Sequence, residues 1–76
     1  MNKLYVILKK YLSLNMTIIC LRYGKTAKYG GEFDQDDCFT SKKAAVDAIN
    51  HFERIGSSAR YRVVEASSVG TVNIKK

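Results

Sequence analysis

The stretch Phe39-Thr40-Ser41-Lys42-Lys43-Ala44-Ala45-Val46-Asp47-Ala48-Ile49-Asn50-His51-Phe52-Glu53-Arg54-Ile55-Gly56 is the segment with clear helical spacing, and it sets what its flanks must do. Ala45, Ala48, Ile49, Phe52 and Ile55 recur at three and four residues, which gathers them on one face of a helix. Lys43, Asp47, Asn50 and Arg54 gather opposite. Thr40 or Ser41 supplies an N-cap hydroxyl, and Gly56 stands where a left-handed residue closes a helix. Phe52→Ala, at about 3–5 kcal/mol, is the substitution expected to hurt most.

Outward from the helix the chain reads as strand. Thr17-Ile18-Ile19-Cys20-Leu21-Arg22-Tyr23 is β-branched and apolar, and Gly24 ends it. Lys25 to Gly31 reads as a hairpin, with Glu32-Phe33-Asp34 starting the return strand or its exit loop. Ala59 to Ala66 is a second clear strand, and Val72 and Ile74 alternate with polar residues in a last one. The expected fold is α+β: one helix packed on an antiparallel sheet, ββαββ or close to it. Residues 1–15 read in more than one way. As a helix, Leu4, Ile7, Leu8, Tyr11 and Leu12 share a face; as strand, Leu12 and Leu14 alternate with Ser13 and Asn15. The expectation is a short amphipathic helix or irregular arm, dispensable for folding, with Met16 an alternative start and 16–76 a single domain.

Seventy-six residues make one small core. A 46% apolar and 26% charged composition suits an ordered globule. The net charge of +6 favours nucleic acid, an anionic membrane or an acidic protein patch as partner. From Met16 onward it falls to +3, ten bases against seven acids, and four of those acids (Glu32, Asp34, Asp36, Asp37) crowd together. Cys20 and Cys38 are too few for a disulfide framework. Lys9 and Lys10 interrupt the apolar run at Leu4–Leu8, so neither a secretory signal nor a membrane span is expected. A cytoplasmic chain with reduced thiols follows.

Catalytic and metal patterns fail on inspection. Gly24-Lys25-Thr26 lacks the phosphate-loop glycine five residues earlier, where Ile19 stands. The acidic run lacks calcium-loop residues at Cys38, Phe39 and Ala45. His51, Cys20 and Cys38 have no recognised zinc spacing, and no third group orients a Cys38–His51 pair. No enzyme activity, cofactor or metal is expected. The basic residues interleaved with aromatics carry more: Arg22-Tyr23, Lys25, Lys28-Tyr29 and Arg60-Tyr61-Arg62. Guanidinium and phenol groups so placed grip phosphates and stack bases, or form interface hot spots. Lys42 and Lys43 join them, standing in the first helical turn against the dipole.

Two resemblances add to this. Leu21-Arg22-Tyr23-Gly24-Lys25 through Phe39-Thr40-Ser41-Lys42-Lys43-Ala44-Ala45 resembles the arm-type DNA-binding domain of phage integrases over residues 17–54. The resemblance implies a basic hairpin gripping DNA; the acidic Glu32–Asp37 run and the strands after the helix depart from it. In architecture the chain is similar to small phage-encoded host-modulating inhibitor proteins. That similarity implies a non-enzymatic binding protein that inhibits or modulates a bacterial host protein or nucleoprotein machine by occupying its surface. The alternative is a DNA- or RNA-binding module using the basic hairpin and strand face.

Overall fold

A computed structural model describes residues 3–53 and 59–74, the side chains of Phe52 and Glu53 excepted. Strands β1 (Tyr5–Tyr11), β2 (Met16–Cys20), β3 (Thr26–Lys28) and β5 (Ala59–Glu65) form one antiparallel sheet in the order β3-β2-β1-β5. Two short strands, β4 (Glu32–Asp34) and β6 (Thr71–Asn73), pair in parallel beside it. One helix, α1 (Lys42–Glu53), lies between β4 and β5 in the chain. The fold is α+β, a helix on a mostly antiparallel sheet.

The helix forms where its spacing demands. Ser41 is the cap, its Oγ accepting from the Ala44 N–H at 3.1 Å. Ala45 is buried, Ala48 and Ile49 are half-buried, and Lys43, Asp47 and Asn50 face solvent. Gly56 and Ile55 lie outside the described residues, as does the Phe52 side chain.

The expectation for residues 1–15 is corrected. Tyr5–Tyr11 is neither helix nor arm: it is the strand through which β2 and β5 join. Its alternate residues enter two different cores. Ile7 packs with Cys20, Phe39 and Ala45 on the helix side. Val6 packs with Ile19, Leu21, Phe33, Cys38, Ala66 and Val69 on the other. A strand buried on both faces carries a continuous apolar run, and Val6-Ile7-Leu8 therefore shows no period-two alternation.

A second correction concerns the hairpin. Thr26–Lys28 is itself the return strand for β2, reached through the single 3-10 turn Arg22–Gly24. Glu32–Asp34 pairs instead with Thr71–Asn73. Gly70 makes that pairing possible. A Cβ there would meet the Gly31 carbonyl oxygen and the Phe33 ring, each at 2.6 Å. Gly70→Ala should therefore destabilise the protein by about 1–3 kcal/mol, read as a lower urea midpoint.

Candidate functional site

Sheet register decides which charges meet. Lys10 sits directly opposite Thr17 on β2 and Arg60 on β5, and the next row places Leu8 opposite Arg62. Residues two apart on a strand share a face, so Lys10, Arg60 and Arg62 converge on the side away from α1. They line a groove of about 420 Å³ with Leu8 and Thr17. On the helix side one row runs Lys28, Ile18, Lys9, Tyr61 across all four strands. The Lys9 ammonium lies 4.6 Å from the Tyr11 ring centroid and 5.7 Å from that of Tyr61. Hydrogen bonding with Tyr11, above all, raises its pKa, against an opposing desolvation cost.

The four strands of this sheet carry five cations and a single carboxylate, Glu65, at the far end of β5. Glu65 is taken by Lys3 at 3.2 Å. The acidic run lies outside the sheet, on β4 and the 3-10 turn Gln35–Asp37. Lys10 and Arg60 thus face each other as like charges in adjacent strands, an arrangement that costs stability in the free protein.

The ten residues singled out in the sequence divide between two places. Lys28, Arg60, Tyr61 and Arg62 belong to the basic end of the sheet, with Tyr29 exposed in the turn after β3. Lys43 is exposed on the first turn of α1, and Arg22, Tyr23, Lys25 and Lys42 lie toward the other end. There Lys25 is bound to Asp37 at 3.1 Å, the Arg22 guanidinium stacks 4.7 Å from the Tyr23 ring, and the Lys42 ammonium lies 5.9 Å from the Tyr5 ring. Tyr23 is 74% exposed and held at φ 61°, a left-handed conformation that is rare for an aromatic residue. Lys9, Lys10 and Tyr11 were missed in the sequence because their segment was read as an arm. The signal was the β-favouring run Tyr5-Val6-Ile7 leading into them.

Cys20 and Cys38 are free and lie in separate cores on opposite faces of the sheet. Burial pushes both thiols up, Cys38 to about 11 with help from the Asp37 charge. Cys38 also donates to the Asp34 carbonyl at 3.5 Å. An unfolded thiol ionises near its ordinary value of 9.0, while the folded one keeps its proton to about 11. Between those values the unfolded state binds fewer protons, so stability must fall as pH rises through that window. Urea midpoints measured from pH 8 to 11 should decline, and Cys38→Ala should flatten part of the decline.

Among the described residues no three His, Cys, Asp or Glu side chains form a metal-holding group, and no helix is long and apolar enough to cross a membrane. No protein-family model, curated protein or solved structure matches the chain.

Proposed function

We propose that this is a non-catalytic binding protein that attaches to nucleic acid through the basic end of its sheet and modulates the machinery working there by occupying that surface. The supporting observation is the convergence of Lys10, Arg60 and Arg62, with Lys9 and Lys28 on the reverse face, on strands whose lone carboxylate is at the other end. A cross-strand Lys10–Arg60 pair is unfavourable alone and becomes favourable once phosphates lie between the charges. The acidic run is carried by the separate β4–β6 pair and the adjoining turn rather than by the strands that hold these cations. Fluorescence anisotropy with a labelled duplex tests it: binding in about the micromolar range at physiological salt is expected, and no binding at low salt overturns it.

One observation favours a second reading, a bacterial host protein as the target. The exposed, left-handed Tyr23 with its stacked Arg22 borders a groove of about 550 Å³ that includes Gln35, Asp36 and Thr40. Tyrosine and arginine at a mixed-charge groove suit a protein interface. A partner captured from bacterial lysate after nuclease treatment, and lost with Tyr23→Ala, would favour this end of the molecule over the basic one.

A further inference from the structure

The hairpin joining β1 to β2 ends in an apolar tip. Tyr11 pairs with Met16, and Leu12-Ser13-Leu14-Asn15 closes the loop beyond them. Leu12 is 56% exposed, Leu14 66% and Met16 45%, and none of the three belongs to either core. Asn15 takes a left-handed φ of 49°, which asparagine tolerates better than most residues. Two leucines left more than half exposed on a four-residue loop add to neither core of the free fold. They stand at the end of the sheet where the cations are.

We propose that this tip enters the minor groove of the bound duplex and wedges leucine between base pairs, bending the nucleic acid. The inference rests on the nucleic-acid reading above. Spacing supports it: Lys10 stands one residue and Arg62's row three residues behind Tyr11, about 3 and 10 Å at strand rise. A minor groove is about 7.5 Å deep, so with the loop at its floor Lys10 lies near the height of the flanking phosphates and the Arg62 row stands outside the groove, one side chain's reach from them. Apolar side chains inserted in this way unstack a step and kink the duplex, and leucine is among the residues that do so. Charge complementarity also suits an anionic bilayer. There, however, two leucines bury less than a single myristoyl chain, which by itself gives only marginal attachment.

The test uses the full chain and a duplex of about 20 base pairs, with a dye at each end and 2-aminopurine near the centre. The protein should raise end-to-end energy transfer, corresponding to a bend of roughly 20–90°, and raise 2-aminopurine fluorescence as the base unstacks. Leu12→Ser with Leu14→Ser, both at exposed positions, should abolish both signals while leaving the salt dependence of binding in place. An unchanged melting temperature in that variant establishes that the fold is retained. Binding without bending, or bending indifferent to the leucines, overturns the wedge and leaves nucleic-acid binding intact. No binding at all removes the underlying reading and the wedge with it. Leucine-dependent binding to anionic vesicles, with no bending of DNA, overturns the wedge in favour of a membrane surface.

Discussion

A chain that begins at Met16 is expected to lose its cooperative thermal transition. The absence of β1 would leave β5 without a partner in the sheet, since among the described residues β5 pairs with β1 alone. Both cores would also be opened. Val6 and Ile7 are each fully buried, one on either face. Removing large apolar side chains costs about 2–5 kcal/mol apiece, and a domain of this length has on the order of 4–11 kcal/mol to lose. Loss of the β1–β5 and β1–β2 backbone ladders comes on top. Far-UV circular dichroism during heating checks this: a flat, non-cooperative trace is expected. A sharp transition like that of the full chain would restore residues 1–15 to the status of an appendage. Ile7→Ala is the milder version and should lower the midpoint while keeping the transition.

The second large effect concerns binding. Replacing Lys10, Arg60 and Arg62 together by alanine should weaken duplex binding by about 150-fold at physiological salt, if each contacts one phosphate. The same substitutions should not harm the fold. They remove a like-charge pair in adjacent strands, so stability should hold or rise by about 0.2–1 kcal/mol. Binding and stability moving in opposite directions separates a binding surface from a structural one. Arg22→Ala with Lys25→Ala is the control. Those residues sit by the Tyr23 ring and Asp37 rather than at the basic end, and duplex binding should survive their loss.

Much of the fold was legible because most elements bury one face. Ala45, Ala48 and Ile49 revealed α1 by their spacing, and Ser41 its start. Ala59–Glu65 alternates exposed Arg60 and Arg62 with half-buried Tyr61 and Val63, and reads as strand for that reason. β1 was not legible, since a strand with two cores has no polar face to alternate with its apolar one. Its Lys9-Lys10 pair also resembled an interruption, whereas alternation sends the two to opposite sides of the sheet. The parallel β4–β6 pair was hidden for another reason. Its partners are three-residue segments separated by a helix and a strand, and no local pattern announces such a pairing. For the site, Arg60, Tyr61 and Arg62 could be seen in the sequence, but their neighbours Lys9 and Lys10 follow only from register.

The claim that a basic sheet end holds nucleic acid is tested most directly by the salt dependence of duplex affinity. Lys9 is engaged by the rings of Tyr11 and Tyr61, which leaves Lys10, Arg60 and Arg62 on one face of the sheet end and Lys28 on the other to meet the phosphates flanking it. Four contacts give a log–log slope near −3.6, a loss of about 150-fold between 50 and 200 mM salt. In the Lys10, Arg60 and Arg62 triple alanine variant only Lys28 remains of the four, and the slope should shrink to about −0.9. A slope near zero in the native protein, or the same slope in both, would contradict the assignment.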